Sequence, residues 1–428
     1  REALDRDAVQ AHLGPLPGEA GLNKTVTNKT GDLFATRWRE LARAFLKLGA
    51  TSFGGPAIIG IIQAELQERR GWVTRERFLE GLALVNMLPG GAVMQLCIFI
   101  GYQRAGWRGG LLAGLSFLLP PFCIMLALTL LYTSYGALPV MRDALYGLGP
   151  VVLGIFAVTA IRLGGVVLTN IRQVAIACIA AGMLAYTPVG IIGILSLAGC
   201  TGVAFYHSAK WGIRATWLVM LPLAMWHFGG ALTPLIEAIS PTGDSEPGLI
   251  SIAAFFASVG AFTFGGGITI VAFVQEELVN QLQWLTPQEF LDGIALTQLT
   301  PGPVLMLSTY VGYKLAGVTG ALVGQLAIYV PSFAVMLSIL PALERFRELL
   351  WIKAAMRGIG AAVIGVISMA LVRLAPHAAP DIPTAVLLGL TVLVMLAYNV
   401  RPLSLILAGA LAGIASAWRP LQRLKEMA

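Results

Sequence analysis

The chain repeats one glycine-containing interruption of an apolar segment. Residues 49–56 read Gly-Ala-Thr-Ser-Phe-Gly-Gly-Pro, and residues 260–267, 211 positions later, read Gly-Ala-Phe-Thr-Phe-Gly-Gly-Gly. Glu65 and Glu276 follow the two copies at equal distance. Broken helices expose backbone dipoles to an ion inside a membrane, so matching interruptions in two halves of a chain point to the binding site of a transporter.

A second motif is duplicated in the same order. Pro89-Gly90-Gly91 matches Pro301-Gly302-Pro303 at a shift of 212. The correspondence continues, at a shift of 211 or 212, in Trp72 and Trp284, Thr74 and Thr286, Phe78 and Phe290, Gly101-Tyr102 and Gly312-Tyr313, Ala105-Gly106 and Ala316-Gly317, and Pro120 and Pro331. The two halves of the chain therefore derive from one repeated unit.

The composition predicts a membrane protein. Hydrophobic residues make up 57% of the chain, charged residues 12%, and the mean hydropathy is +0.78, which excludes a soluble domain of this length. Because a helix needs about 20 apolar residues to cross a bilayer, continuous spans are predicted at 109–132, 144–163, 171–186, 188–206, 215–237, 317–341, 354–374, 383–399 and 402–418. Four further apolar segments carry the glycine and proline interruptions, at 44–64, 79–101, 252–275 and 290–312.

These segments predict an all-α polytopic membrane protein with two repeats of inverted topology joined by a linker transmembrane helix. Each repeat contains two broken or re-entrant helical segments. The predicted divisions are a disordered cytoplasmic tail at 1–36, an N-terminal membrane repeat at 37–210, a linker transmembrane helix at 211–245 and a C-terminal membrane repeat at 246–428. Whether the broken segments cross or re-enter stays open at this point, although the distribution of Lys and Arg favours re-entry.

The interruptions are candidate binding sites for an anion. Glycine permits a close approach of the backbone, and a following proline suits the first turn of a helix. The unpaired N–H groups and the positive dipole end of such a helix attract an anion. The candidate substrate-binding residues are Ser52, Phe53, Gly54, Gly55, Asn86, Pro89, Gly90, Thr263, Phe264, Gly265, Gly266, Gln298, Thr300, Pro301 and Gly302.

Each of these residues also has a structural interpretation. Glycine in membrane helices most often serves close helix packing, and the duplication of two unlike motifs is what favours a site. Glu65 and Glu276 are candidates for coupling or gating. The alternative is that they are interfacial residues, and the high cost of a charge in the membrane core favours this alternative. Arg162 and Arg373 lie near helix ends, where an isolated arginine is expected to extend toward the interface.

Other chemistry finds little support in the sequence. Cys97, Cys123, Cys178 and Cys200 form no metal-binding or disulfide pattern, no histidine has the spacing of a metal site, and no nucleotide-binding loop is present. No cluster of His, Asp or Cys indicates an enzyme. The net charge of +7 is assigned to topology and lipid contact, because no basic stripe interleaved with aromatics indicates nucleic acid. We therefore predict neither metal nor cofactor, and no catalytic residue.

With these motifs the chain resembles the two-domain chromate ion transporter (CHR) family of bacteria. The Phe-Gly-Gly break, the Glu-Leu run ending in Trp, the Pro-Gly pair and the Gly-Tyr followed by Ala-Gly all occur twice, and the resemblance covers about residues 41–418. It implies a secondary transporter that exports chromate across the inner membrane and confers chromate resistance, with sulfate as the competing anion. Pro89-Gly90-Gly91 departs from the Pro-Gly-Pro kept at Pro301-Gly302-Pro303, which puts equal participation of the two halves in doubt.

The predicted mechanism is alternating access, driven by ion gradients or membrane potential. The N-terminus is predicted to be cytoplasmic and the C-terminus periplasmic, and a homodimer is expected. Two alternatives remain open: a transporter of sulfate or another oxyanion, and a passive anion channel that uses the same helix ends.

Overall fold

A computed structural model of the chain describes residues 19–53, 57–86, 88–135, 139–187, 189–228, 248–263, 267, 269–342, 350–398, 400 and 402–417. These residues form α-helices and connections, without a β-strand. The first repeat contains α1 (Glu19–Thr51), α2 (Ala57–Ile62), α3 (Arg75–Val85), α4 (Ala92–Tyr135), α5 (Pro139–Val167), α6 (Ile171–Tyr186) and α7 (Ile191–Tyr206). A linker helix, α8 (Ala209–Phe228), follows.

The second repeat reproduces this order. It contains α9 (Leu249–Ala261), α10 (Thr269–Phe273), α11 (Pro287–Leu299), α12 (Leu307–Ile339), α13 (Leu350–Ala378), α14 (Ile382–Tyr398) and α15 (Pro402–Ala417). Each short helix after the first interruption continues as a π-helix, Gln63–Arg69 after α2 and Val274–Gln281 after α10. Short 3₁₀ turns lie at Val304–Met306 and Leu340–Ala342. The all-α fold with two repeats is as the sequence predicts.

The first helix begins earlier than the sequence analysis expects. Residues 19–36, assigned there to a disordered tail, belong to α1. No proline interrupts residues 19–51, so the helix that starts the membrane repeat extends toward the N-terminus without a break. Residues 1–18 of that tail lie outside the described part of the chain.

The long helices α4 and α12 each reverse direction at an Ala-Gly pair. Gly106 has φ 64° and Gly317 has φ 60°, in the left-handed region that glycine adopts without strain. Beyond the reversal the two arms pack against each other: a Cβ on Gly101 would lie 2.4 Å from the carbonyl oxygen of Gly109. We call residues 92–104 and 307–315 the inner arms, and residues 107–135 and 318–339 the outer arms.

Contacts at Glu40 show that the interrupted segments of the first repeat re-enter. The chain leaves Glu40 along α1, turns at the first interruption and comes back through α2 and the π-helix to Trp72, whose Nε1 donates to Glu40 Oε1 at 3.2 Å. It then leaves along α3 and returns along the inner arm of α4, which ends at Arg104, 3.8 Å from Glu40. Both broken segments therefore start and finish on the same side.

Among the described residues, four helices are long and apolar enough to cross a membrane by length and composition: Ala92–Tyr135, Asp143–Val167, Val304–Ile339 and Leu350–Ala378. The first and third of these include the reversals at Gly106 and Gly317, so their outer arms form the crossing parts. Four other helices at predicted spans, α6, α7, α14 and α15, are apolar but have only 16 or 17 residues. Several apolar helices in one chain fit a multi-pass membrane protein.

Helices from the two repeats interlock in the scaffold. α5 of the first repeat packs against α14 and α15 of the second, and its counterpart α13 packs against α6 and α7 of the first. Glycines permit these approaches, because a Cβ on Gly358 would lie 2.0 Å from the carbonyl oxygen of Ala198, and one on Gly147 would lie 2.1 Å from that of Gly409.

Candidate functional site

The interruptions of the two repeats meet each other through reciprocal hydrogen bonds. The N–H of Gly302 donates to the carbonyl oxygen of Ser52 at 2.7 Å, and the N–H of Gly90 donates to that of Thr263 at 2.8 Å. Ser52 corresponds to Thr263 and Gly90 to Gly302, so one bond is the repeat image of the other. Each Pro-Gly turn is therefore tied to the first interruption of the opposite repeat.

The geometry of these turns requires glycine. Gly90 has φ 119° and Gly302 has φ 107°, values that residues with a Cβ rarely adopt. Space is also short at Gly90, where a Cβ would lie 2.5 Å from both Gln95 Nε2 and Ser332 Oγ. The duplicated Pro-Gly motif thus follows from a backbone conformation and a close contact, and the N–H groups of both glycines are used within the protein.

The predicted site residues divide by burial. Ser52, Thr263 and Thr300 are buried, whereas Phe53 is 36% exposed and Asn86 is exposed at the end of α3. Gly90 and Pro301 are buried, and Pro89, Gln298 and Gly302 are intermediate. Gly54, Gly55, Phe264, Gly265 and Gly266 lie outside the described residues. The structure brings the two Pro-Gly turns and the start of each interruption together, while their role in binding stays a prediction.

Two of the three predicted hydroxyl donors are used within their own helices. Thr263 Oγ1 donates to the carbonyl oxygen of Val259 at 2.6 Å, and Thr300 Oγ1 donates to that of Leu296 at 2.9 Å. Ser52 Oγ, in contrast, is buried without a hydrogen-bond partner among the described residues. The free hydrogen-bonding capacity at this junction is therefore smaller than the sequence suggests, and it is unevenly distributed.

Three polar residues at the junction were not predicted from the sequence. Gln95, Tyr329 and Ser332 are buried in α4 and α12, close to Gly90 and Gly91. Gln95 Nε2 donates to the carbonyl oxygen of Pro89 at 2.6 Å, and the N–H of Gly91 donates to Ser332 Oγ at 3.0 Å. The available signal was a glutamine within the otherwise apolar run at 92–100.

Glu65 and Glu276 occupy equivalent positions but have different partners. Glu65 is paired with Arg69 at 3.1 Å, in its own π-helix, and with Arg70 at 2.9 Å, the residue that caps this helix. Asn280 and Gln281 stand at the equivalent places in the second repeat, and their amides donate to Glu276. The charged partner of Glu276 is Arg373 of α13.

Arg373 does not extend toward the interface as expected. Besides its ion pair with Glu276, it donates through Nη2 to the carbonyl oxygen of Leu184 at 2.7 Å. Its counterpart Arg162 donates to the carbonyl oxygen of Met395 at 2.6 Å. The reason is that interlocked helix ends offer these arginines buried carbonyl groups, so each of them joins helices from the two repeats.

A buried carboxylate lies at the far end of the outer arm of α4. Asp292, on α11, accepts hydrogen bonds from Tyr132 Oη at 2.7 Å and from Gln288 Nε2 at 3.0 Å. It borders a cavity of about 280 Å³ that is also lined by Tyr146 and His377. Within the described part of the chain, no cluster of three or more His, Cys, Asp or Glu is suited to a metal ion.

Comparison with known proteins follows the internal duplication. The sequence profile described as "Chromate transporter" matches residues 39–203 and again 250–414. The chain belongs to the chromate transporter family. The two matches are offset by the same 211 positions as the duplicated interruptions, and membership makes the chain a transporter and not an enzyme.

Individual relatives of the chain are named as transporters. A "Chromate transport protein" of Cupriavidus metallidurans is 34% identical over 374 residues, which cover 87% of this chain and 91% of the relative. A "Probable chromate transport protein" of Synechococcus elongatus is 34% identical over 83% of this chain and 89% of the relative. The "Uncharacterized transporter YwrA" of Bacillus subtilis is 30% identical over 175 residues, which cover 39% of this chain and 96% of the relative. No solved structure gives a significant match.

Proposed function

We propose that this protein exports chromate across the bacterial inner membrane by alternating access and thereby confers chromate resistance. Transport of chromate is the function that the names of the full-length relatives carry. The observation that carries the mechanism is the unequal packing of two repeats whose broken segments are tied together at one junction.

An inverted arrangement of the repeats is supported by where their re-entrant segments begin. Those of the first repeat start near Arg104, beside the beginning of the outer arm of α4. Those of the second contact the other end of the same arm, where Tyr132 bonds Asp292. From Trp107 to Tyr132 the arm rises about 38 Å at 1.5 Å per residue, which is about the thickness of a bilayer with its headgroups.

Unequal burial of equivalent residues supports two alternating states. Leu291 of α11 is 1% exposed, whereas its counterpart Leu79 of α3 is 51% exposed. Likewise Ala272 of α10 is 1% exposed and its counterpart Ile61 is 36% exposed. α11 packs against α5, α13 and α15, while α3 packs mainly against α4. One repeat is therefore closed onto the scaffold while the other stands away from it.

Exchange of these two packing arrangements would open the junction to the other side. The open repeat carries Arg69, Arg70, Arg75 and Arg77 where its π-helix ends and α3 begins, and the positive-inside rule assigns this connection to the cytoplasmic side. The described state is then open inward and closed outward. The same assignment makes the N-terminus cytoplasmic and the C-terminus periplasmic.

The membrane potential supplies enough energy for export. An anion that leaves a cell with a negative interior releases about 2.3 kcal/mol per charge for each 100 mV. No nucleotide-binding loop is present in the sequence, so export depends on the potential or on ion gradients. The homodimer expected from the sequence stays a prediction.

Chromate accumulation in everted inner-membrane vesicles, with sulfate as competitor, tests this function. Everted vesicles place the cytoplasmic face outside, so an exporter accumulates chromate inside them. Saturation and counterflow are expected of a carrier, whereas a passive channel gives a flux linear in concentration and no counterflow. Vesicles that accumulate sulfate but no chromate would assign the protein to the alternative substrate.

A cysteine pair tests the direction of opening. Ala83→Cys on α3 and Ala295→Cys on α11 are equivalent substitutions, made after replacement of Cys97, Cys123 and the remaining two cysteines. Ala83 is exposed and Ala295 is 1% exposed. A polar thiol reagent applied from the cytoplasmic side should modify only the first. Equal modification of the two sites, or modification of neither, would contradict an inward-open state.

A further inference from the structure

The two Pro-Gly turns differ in one matched pair of substitutions. In the first repeat, the N–H of Gly91 donates to Ser332 Oγ at 3.0 Å. The residues equivalent to Gly91 and Ser332 are Pro303 and Pro121. Pro303 has no N–H and Pro121 has no hydroxyl, so the second turn has no such bond. Polar groups are therefore concentrated at the first turn.

Gln95 presents an unpaired acceptor at this turn. Its side chain is fully buried, and its Nε2 donates to the carbonyl oxygen of Pro89 at 2.6 Å. Because only the nitrogen of the amide can donate, this bond fixes which end is the oxygen. Oε1 then has no hydrogen-bond partner in the described part of the chain. The equivalent position of the second repeat falls at Met306 or Leu307, which are both apolar.

Tyr329 adds a second unpaired group. It is 1% exposed, and its hydroxyl has no partner among residues that the structure describes. Its ring approaches Gly91, where a Cβ would lie 3.6 Å from Tyr329 Cε1. A Cβ on Gly90 would lie 2.5 Å from both Gln95 Nε2 and Ser332 Oγ. Gln95, Tyr329 and Ser332 thus surround the same two glycines, whereas the residue equivalent to Tyr329 is Leu118.

The start of α4 supplies N–H donors at the same place. Its first hydrogen bond of the i to i−4 type runs from the N–H of Gln95 to the carbonyl oxygen of Gly91 at 2.9 Å. The N–H groups of the three preceding residues, 92–94, have no acceptor within the helix, and all three residues are buried. The positive end of the helix dipole adds to the attraction of these groups for an anion.

We propose that one oxyanion binds off the centre of the junction, at the first-repeat turn, and that it binds as the monoprotonated form. The N–H groups of residues 92–94 and the hydroxyls of Tyr329 and Ser332 donate to its oxygens. Gln95 Oε1 accepts from its one O–H group. This inference rests on the proposed function, since it specifies the form of the substrate and the residues that recognise it.

The single acceptor separates two anions of equal shape. A fully deprotonated tetrahedral oxyanion has no hydrogen to donate, so it leaves Gln95 Oε1 buried and unpaired, which weakens binding by about tenfold or more. Chromate takes up a proton near neutral pH, whereas sulfate does so only in strong acid. The site therefore selects hydrogen chromate over sulfate, although the fully deprotonated ions share size and charge.

The protein itself contributes little to pH dependence at this place. The titratable groups that the structure describes near Gln95 are Cys97 on α4 and Tyr329 on α12. Thiols and phenols ordinarily titrate above neutral pH. A change of transport between pH 6 and pH 8 should then follow the protonation of the substrate.

The first test varies pH and the acceptor in everted vesicles. At limiting total chromate, the initial rate of the unchanged protein should be several-fold higher at about pH 6 than at about pH 8. Gln95→Met should lose most of this difference and should lower the preference for chromate over sulfate by about tenfold. A rate that does not fall at the higher pH, or a selectivity unaltered in Gln95→Met, would overturn the proposal.

The second test removes a hydroxyl without changing shape. Tyr329→Phe should raise the KM for chromate by about tenfold and leave the melting temperature unchanged or slightly higher, because the lost hydroxyl has no partner in the described protein. Tyr310→Phe is the matched control: Tyr310 is also buried, but its hydroxyl donates to the carbonyl oxygen of Glu289 at 2.9 Å. That variant should lose stability and keep its KM.

These outcomes separate the inference from the proposed function. If the unchanged protein moves no chromate, the function itself fails. If it moves chromate but Tyr329→Phe keeps its KM, the function stands and the off-centre site is wrong.

Discussion

The ion pair between Glu276 and Arg373 should keep the second repeat closed onto the scaffold. The pair joins the π-helix after α10 to α13, and its side chains are only 12% and 28% exposed. The change to make is Glu276→Gln, which keeps the shape of the side chain and one acceptor oxygen but removes the charge that faces Arg373. Glu65→Gln is the matched control at the equivalent position of the first repeat.

The magnitude follows from the burial of the two partners. An exposed pair contributes about 0.2 to 1 kcal/mol, and loss of one member of a fully buried pair costs about 3 to 5 kcal/mol. This pair is intermediate, and Arg373 keeps its bond to the carbonyl oxygen of Leu184, so we expect about 2 kcal/mol. At about 1.4 kcal/mol per factor of ten, the closed arrangement should lose about 30-fold in its population ratio.

The assay is the rate at which a polar thiol reagent modifies the cysteine introduced by Ala295→Cys, in a chain without its native cysteines. Ala295 is 1% exposed, so modification requires the second repeat to leave the scaffold. Glu276→Gln should raise this rate by about 30-fold if the pair is lost on opening. Glu65→Gln should raise it by less than about threefold, because Arg69 lies in the same π-helix as Glu65 and Arg70 is the next residue, so these two ion pairs are local and hold no scaffold helix.

The result that would refute this reasoning is an equal effect of the two substitutions. Equal rates would mean that the pair with Arg373 does not distinguish the closed repeat from the open one. A folded Glu276→Gln variant whose cysteine stays as protected as in its parent would lead to the same conclusion. Thermal unfolding of each purified variant checks that the comparison is made between folded proteins.

Three further substitutions have clear expectations. Gly90→Ala should abolish chromate flux and lower the melting temperature, because φ 119° is strained for alanine and a Cβ would lie 2.5 Å from two side-chain atoms. The control is Gly60→Ala on α2, where a Cβ meets no other atom, and it should change neither measurement. Gly358→Ala should destabilise the protein by about 3 kcal/mol or more in thermal unfolding, because a Cβ would lie 2.0 Å from a carbonyl oxygen of α7. Asp381→Ala should cost about 1 kcal/mol, since Asp381 Oδ1 accepts from the N–H of Thr384 at 3.0 Å at the start of α14.

The contribution of Asp381 should depend on pH. Burial raises the pKa of this carboxyl group, but hydrogen bonds from Thr384 and Tyr146 outweigh burial and hold the pKa below its ordinary value. A carboxyl group with a lowered pKa in the folded state stabilises the protein above its unfolded pKa, and the contribution is lost as pH falls. The difference in melting temperature between Asp381→Ala and the parent should therefore shrink in acid. A difference that grows as pH falls would contradict this assignment.

Much of the fold was predictable because the motifs that interrupt the apolar segments occur in both halves of the sequence. Two motifs at matching places, such as Pro89-Gly90 and Pro301-Gly302, predict both the repeats and the positions of the turns. The sequence predicts separate segments at 79–101 and 109–132, so a turn is expected between them, but it does not predict that the turn is a single Ala-Gly pair at Gly106 with the two arms in contact from Gly101 to Gly109. The re-entrant path of the broken segments depends on that reversal.

The site was predictable in its place and not in its chemistry. Sequence spacing predicts that glycine turns mark the junction, but it does not reveal that the N–H groups of Gly90 and Gly302 bond the opposite repeat. Partners that are hundreds of residues apart carry no local signal. Gln95 and Tyr329 were missed for a related reason, since one polar residue in an apolar helix becomes informative only when its neighbours are known. The burial of Asp292 was missed in the same way, because its partner Tyr132 is 160 residues away in the sequence.

The exchange of α5 and α13 between the halves has a consequence for shorter chains. A polypeptide with a single repeat would contain a helix like α5 but not the second-repeat helices, α14 and α15, that pack against it. It would likewise contain helices like α6 and α7 but not α13, against which they pack. Such a chain has to find its complement in another molecule, so half-length proteins of this architecture should be assembled in pairs before they are competent, and a full-length chain cut between its halves should still reassemble from two separately made fragments.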